Sequence, residues 1–348
     1  MRISEALAVT VVIPVHNGAA TVARAIDSAL QQDVRPVEII VVDDGSTDAT
    51  AEILTGYRDK ITVLTQQRRG PSAARNAGAA AARARDLIGF LDADDIWHPN
   101  MLRLMVDCLQ RERVAVLAFC DLEGLEQSGV VVPGMVDERS AHPPSMEELL
   151  TRWWPVYTSA TLMRRDALDK CGGFSEEFKM PGFEDPYLWL LMREQGSFAY
   201  VPQRLVRYRC HTMSERMEKY AAGYRVFCRL VEQRYGRMAE RLLRDTARSF
   251  VCAWGFEGLL AIKAGDKHKA RRAFARALTY DRRDFRSHLR WLRTFLPMSV
   301  IPGLSGSFVQ RKLPATKNGF ETGGAAARDS GRLNSGKPGK HPAAAVPR

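Results

Sequence analysis

No run of about eighteen apolar residues occurs anywhere in the 348-residue sequence, so no segment has the composition of a membrane-spanning helix. Paired cysteines are also missing. The six present, Cys108, Cys120, Cys171, Cys210, Cys228 and Cys252, are scattered, without the close spacing of a zinc site or a disulfide framework. That usage fits a reducing cytoplasm. The start of the chain, MRISEALAVTVVIPVHNG, holds its apolar residues inside an apparent strand and shows no separate signal-peptide core. The expected location is therefore cytoplasmic, with peripheral contact at the inner face of the membrane left open. No GxxxxGK[ST] loop is present, and HNGAAT follows the first strand where a dinucleotide-binding protein would carry GxGxxG. A P-loop nucleotidase and a dehydrogenase are both disfavoured. Acidic residues are outnumbered, with 40 Asp and Glu against 51 Lys and Arg and a net charge of +11. Such a balance suits an anionic partner: a phosphorylated substrate, a membrane surface or nucleic acid. Much of the excess lies in the C-terminal half and need not belong to an active site.

What the sequence does contain is regular alternation. Val9–Val15 is a continuous β-branched run, the pattern of a strand covered on both faces. Asn17-Gly18 turns the chain, and Val22, Ile26, Ala29 and Leu30 recur at helical spacing. Val37–Val42 reads as a second strand, running into Asp43-Asp44-Gly45-Ser46, with Ser46 or Thr47 suited to cap the next helix. Ile61–Leu64 predicts a third strand, and Pro71 opens an alanine-rich helix reaching Arg85. Further strands are expected at Leu87–Leu91, Val114–Phe119, Tyr157–Met163 and, as a pair, Val201–Tyr208. Ser145-Met-Glu-Glu148 forms a capping box. Short connections between alternating strands and helices imply a largely parallel sheet flanked by helices on both faces.

Two of these strands end in carboxylate clusters. The sharper one is LIGFLDADDIWHP, where Leu87–Leu91 gives way to Asp92, Asp94 and Asp95. Burying such a cluster unpaired is costly, so it needs a cation or a solvated turn. Residues i and i+2 of extended backbone share a face, so Asp92 and Asp94 can address one ligand. Two such groups suit a hard divalent cation that takes its other ligands from water and phosphates. An acidic turn capping the helix after Pro99 accounts for the cluster equally well. In open α/β sheets, however, ligands bind at the carboxyl edge of the strands, where both clusters fall. Phe183-Glu184-Asp185 precedes an apolar helix closed by Gly196, and these two carboxylates also suit a helix N-terminus. By residue type alone His211 reads as structural.

From Ser214 to about Phe295 the pattern is helical, with Arg and Lys on the polar faces. Ala261–Tyr280 is similar to one unit of a tetratricopeptide-type hairpin, and a single unit is not a repeat array. From Ile301 onward Gly, Pro, Ala and Ser dominate, a composition that cannot bury a core. That basic tail can touch anionic lipid or stay solvated.

Taken together, VTVVIPVHNGAATVARAIDSALQQ, VEIIVVDDGSTDAT, RGPSAARNAG, FLDADDIWHP and GFEDPYLWLLM resemble, in order, the motifs of the inverting family 2 glycosyltransferases. The resemblance covers roughly Val9–His211. It implies a GT-A fold, Rossmann-like with a mostly parallel sheet, followed here by a C-terminal helical extension. The implied domains are 1–212 (nucleotide half to about 120, acceptor half 121–212), a helical extension 213–298 and a tail 299–348. Pro14, Val15, Asn17, Asp43, Asp44, Arg75, Asp92 and Ala93 would then line the nucleotide-sugar site. Asp94 and His211 would hold Mg²⁺ or Mn²⁺, and Asp185 would be the general base, with Glu184 its nearest rival. Trp153, Trp154 and Glu184 fall in the acceptor region, although core burial is the commoner fate of tryptophan. The expected donor is a UDP-sugar and the acceptor a glycan or a lipid-linked glycan, with no nucleic acid partner. The Gln-x-x-Arg-Trp motif of the family's processive synthases is absent, since Arg290-Trp291 lacks the glutamine. Addition of one sugar, in surface polysaccharide or glycoconjugate synthesis, is therefore expected. The competing readings are a nucleotidyltransferase of similar layout, whose glycine-rich lysine signature is missing, and an inactive glycan-binding scaffold.

Overall fold

The structure is a computed structural model and describes residues 7–125, 130–132, 140–152, 154–179, 182–210 and 213–293. Its centre is one mixed sheet. Four parallel strands form the first half: β1 (Val9–Val15), β2 (Glu38–Asp44), β3 (Thr62–Gln66) and β4 (Leu87–Phe90). The remainder comprises β5 (Ile96–Trp97), β6 (Ala115–Leu125), β7 (Val131–Val132), β8 (Thr161–Arg164) and β9 (Ser197–Arg209). Strand order is β3-β2-β1-β4-β8-β6-β9-β5, with β7 paired to β6. β8 is antiparallel to both its neighbours, while β6 and β9 run parallel to each other.

Both faces are covered, which is why the strands read as unbroken apolar runs. On one face Val11, Ile13, Ile39 and Val41 pack with helices α1 (Val22–Leu30) and α4 (Met101–Arg111). On the other, Val12, Ile40 and Val42 meet α3 (Pro71–Ala81) and α7 (Glu184–Gln195). Gly78 lets α3 approach closely: a Cβ there would lie 2.4 Å from Cγ1 of Val12. α2 (Thr50–Thr55), α5 (Met146–Thr151) and α6 (Arg165–Lys170) are short. The capping box at Ser145 and Glu148 forms at the start of α5.

Helices α8 (Met213–Tyr235), α9 (Glu240–Lys263), α10 (Lys267–Tyr280) and α11 (Phe285–Arg293) follow the sheet. Phe227, Phe250 and Ala277 from this extension belong to the same buried cluster as Val12 and Phe90, so it shares a core with the sheet. The hairpin between α9 and α10 forms as its pattern implies. Gly265 turns with φ +79°, and the Asp266 side chain accepts from the N–H of Lys269.

Several local expectations differ from the fold. α3 stops at Ala81, because the Glu38 carboxylate takes the N–H groups of Arg83 and Ala84 at 2.7 and 2.9 Å. Asp48, not Ser46 or Thr47, closes the start of α2, accepting from the N–H of Thr50 at 3.0 Å. Tyr157–Met163 is extended only from Thr161; Thr158–Ala160 forms a 3₁₀ turn, fastened where the Thr161 hydroxyl donates to the carbonyl of Thr158. Val201–Tyr208 belongs to one long strand, β9, and β6 continues through Leu125 because β9 pairs along its length across bulges near Cys120 and Asp121. The tail from 294 onward lies outside the described residues.

Candidate active site

The site is assembled from the carboxyl ends of β1, β2 and β4, the turn before β8 and the start of α7. At the end of β1, Val15 is buried and Pro14 half-buried. Asn17 is exposed, with φ +53°, a conformation asparagine tolerates better than most residues. It binds the neighbouring loop from both sides: its N–H donates to Oγ of Ser46 at 2.9 Å, and its Oδ1 accepts from the N–H of Thr47 at 2.8 Å. Ala93 is half-buried, 3.7 Å from where a Cβ on Gly18 would sit.

Asp43 and Asp44 are both buried but differ in what they hold. Asp44 accepts from Nε2 of Gln66 (2.7 Å) and the N–H groups of Arg69 and Gly70 (2.8 Å each), so it organises the loop between β3 and α3. Asp43 accepts only the N–H of Ser46, at 2.9 Å, among the described residues. Of the two, Asp43 is the one with capacity left for a ligand.

Arg75, on α3, is the hub. It is 4% exposed and forks between two carboxylates from distant parts of the chain. Nη2 donates to Asp92 at the end of β4 (2.7 Å), and Nη1 donates to Glu184 at the start of α7 (3.0 Å). Its guanidinium also lies 5.1 Å from the centre of the Phe174 ring. Phe174 is fixed in turn by Asn76, whose Oδ1 accepts its N–H at 2.9 Å and whose Nδ2 donates to its carbonyl at 2.8 Å. Glu184, 2% exposed, uses its other oxygen to accept the Gly182 N–H at 2.6 Å. Both Glu184 oxygens are therefore committed. The charges of Asp92, Glu184 and Asp185 hold the guanidinium pKa above its ordinary value against the opposing effect of burial.

Asp185 stands next to this pair. Withdrawal of its carboxyl from solvent, with the charges of Glu184 and Asp92, pushes its pKa up to about 7, against the opposing pull of Arg75 and a hydrogen bond from Thr158. That value suits a base working near neutral pH. The 3₁₀ turn of Thr158 and Ser159 connects the base to the acidic loop, since Ser159 Oγ accepts the Asp92 N–H at 3.1 Å. Asp95 is buried. One of its oxygens accepts the Arg209 N–H at 2.8 Å, and the other has no partner among the described residues. Burial and the charges of Asp94 and Asp92 raise its pKa well above the ordinary range.

This crowding of negative charge, with one orphaned carboxylate oxygen, fits a site that receives a cation. Among the described residues no group of three or more His, Cys, Asp or Glu side chains is placed to hold a metal ion. Asp94 and Asp92 would supply two positions, leaving the rest to phosphate and water, as magnesium sites commonly do. His211 and Trp153 lie outside the described residues. Trp154 is enclosed, 4% exposed, with Arg152 over its ring at 4.2 Å and His142 at 5.0 Å. Its ring is packed in the core. Glu184 is likewise an ion-pair partner beneath the site. Thr158 and Ser159 sit inside a stretch that reads as plain strand, so no signal in the sequence marks them as part of the site.

Residues 10–172 match the description Glycosyl transferase family 2. An uncharacterised glycosyltransferase of Rickettsia typhi is 31% identical over 62% of this chain and 69% of its own length. The succinoglycan biosynthesis protein ExoO of Rhizobium meliloti is 46% identical over a shorter stretch, 28% of this chain and 29% of that protein. The chain spans about half the length of some curated relatives, as with a Nostoc glycosyltransferase 34% identical over 47% of this chain and 52% of that protein. Among solved structures, S. aureus TarS 1-349 in complex with UDP-GlcNAc superposes with a TM-score of 0.51 at 15% identity, over 82% of this chain and 79% of that one, a likeness of fold.

Proposed function

The chain belongs to glycosyl transferase family 2, and on that premise we propose that it transfers one sugar from a nucleotide-sugar donor to an acceptor hydroxyl with inversion. The observation that carries this reading is the double ion pair of Arg75, which draws the Asp92 strand end and the Glu184-Asp185 helix start to one point. Each Glu184 oxygen already accepts a hydrogen bond, from Arg75 and from the Gly182 N–H. It serves as the fixed negative charge that helps raise Asp185. Asp185 then accepts the acceptor's proton as the acceptor oxygen bonds to the anomeric carbon and the bond to the diphosphate breaks. Displacement in one step from the face opposite the leaving group inverts the anomeric centre.

Asp43, Pro14, Val15, Asn17 and Ala93 are the residues to receive the nucleoside, and Asp94 with Asp92 those to hold Mg²⁺ or Mn²⁺. When bound, such an ion neutralises charge on the departing diphosphate. UDP-GlcNAc in the TarS structure favours a uridine nucleotide, and succinoglycan biosynthesis in the name of ExoO favours a role in polysaccharide synthesis. Contact with anionic lipid would fall to the helical extension, where residues 267–293 carry ten Lys and Arg against two Asp. The deciding experiment is a panel of nucleotide sugars assayed for Mn²⁺-dependent hydrolysis and transfer. Turnover of one UDP-sugar is expected, and no turnover with any nucleotide sugar, with or without metal, would refute the reading.

A further inference from the structure

Phe183, the residue immediately before Glu184 and Asp185, is 2% exposed, and α7 begins there without a side-chain capping hydrogen bond. Its ring is met by three rings from the helical extension: Phe227 of α8 at 4.9 Å, Phe250 of α9 at 5.9 Å and Tyr224 of α8 at 5.9 Å. Behind them, Tyr280 at the end of α10 stacks on Phe250 at 4.6 Å and 12° and meets Tyr224 at 5.1 Å. The backbone of α8 passes so near that a Cβ on Gly223 would sit 3.5 Å from the Phe183 nitrogen. With no side-chain cap at Phe183, the first turn of α7 is held by the Arg75–Glu184 ion pair and the Thr158 hydrogen bond to Asp185 on one side and by the aromatic cluster on the other.

We propose that this cluster positions Asp185, so that α8, α9 and the end of α10 form the rear wall of the active site and Phe183, Phe227 and Phe250 are positioning residues for sugar transfer. The proposal rests on the transfer reading above. Its physical basis is that a base misplaced by about 1 Å can slow a reaction by about 100-fold. The charged and polar groups facing Asp185 are Glu184 on its own helix, Arg75 from α3, Asp92 from the end of β4 and Thr158 from the turn before β8. Among the described residues, none of these comes from the extension. Loosening the wall therefore changes the position and hydration of Asp185 without changing the charges around it. The family match ends at residue 172, before Glu184, Asp185 and the helices behind them.

The test uses the full chain with Phe227→Leu and Phe250→Leu, and Tyr224→Leu at the half-buried edge as a milder variant should the first two fail to fold. Phe274→Leu is the control. It is equally buried in the extension but lies in a separate cluster with Ala261 and Ile262. Steady-state kcat and KM, UDP affinity by calorimetry and the pH profile of kcat/KM are measured on each. The cluster variants are expected to lose about tenfold or more in kcat and keep UDP affinity within about twofold. Their acid limb should move to lower pH as water reaches Asp185, while Phe274→Leu keeps kcat and the limb at a reduced melting temperature. Unchanged kcat and limb in folded cluster variants, or an equal kcat loss in Phe274→Leu, would overturn the proposal. A wild-type chain inactive with every donor would instead strike the transfer reading.

Discussion

Two side chains decide how the site behaves, and they pull stability in opposite directions. Arg75 neutralises Glu184 and Asp92 in a place where unpaired charge is costly. Arg75→Met should destabilise the fold by about 3–5 kcal/mol, read by urea unfolding, and adding Glu184→Leu should recover part of that loss. No recovery in the double variant would mean that Glu184 is not stranded when the arginine goes. Asp185 works the other way. Its folded pKa of about 7 exceeds the ordinary 3.8, so folding takes up a proton between those values. Its stabilising contribution is complete below about pH 4 and is lost as pH rises through 7. Asp185→Asn should therefore melt higher than wild type at pH 8, with the gain shrinking towards pH 4. A gain of the same size at both values would count against the raised pKa. Of this residue-level picture, the acidic positions are legible in the sequence because charge clusters at strand ends are conspicuous. The division of labour between Asp43 and Asp44, or between Glu184 and Asp185, depends on partners 22 to 109 positions away, which no local pattern reveals.

The elements that carry these residues are legible where burial is two-sided and periodic, as in β1, β2, α1 and α3. They are obscure where side chains compete with the backbone or where a distant strand supplies the pairing. Thr158 and Ser159 have strand-like neighbours but bond locally into a turn, and β6 owes its full length to β9. Gly78 shows how tightly one element constrains another. Gly78→Val would force a branched side chain into Val12 and Val42, at 2.4 and 3.2 Å from the new Cβ. It should destabilise by about 1–3 kcal/mol or more through overpacking, measured by thermal melting. An unaffected melting temperature would mean that α3 can lift from the sheet without consequence. Because Arg75 rides on α3, the same variant should also weaken transfer.

At the scale of the whole molecule, sheet and helical extension share one core, while the outer side of the extension is basic and partly apolar. Leu260, Leu289 and Leu292 are 46%, 38% and 56% exposed on an extension whose α10 and α11 are rich in arginine, and among the described residues no helix is long and apolar enough to cross a membrane. Vesicles containing phosphatidylglycerol should bind the chain at low salt, whereas phosphatidylcholine vesicles should not. Leu289→Glu with Leu292→Glu should reduce that binding, and raising the salt should weaken it. Equal binding to neutral and anionic vesicles would contradict an electrostatic contact. This face was visible as charge in the sequence, but which leucines it exposes depends on how α11 packs through Trp291 against α9 and α10.

With Asp185 as the base, the nucleotide-binding half of the cleft should function without it. The most direct measurement compares wild type and Asp185→Asn for sugar transfer and for binding of the nucleoside diphosphate with Mn²⁺. Transfer should disappear while nucleotide affinity stays within about twofold. Persistent transfer, or a parallel loss of both, would contradict it.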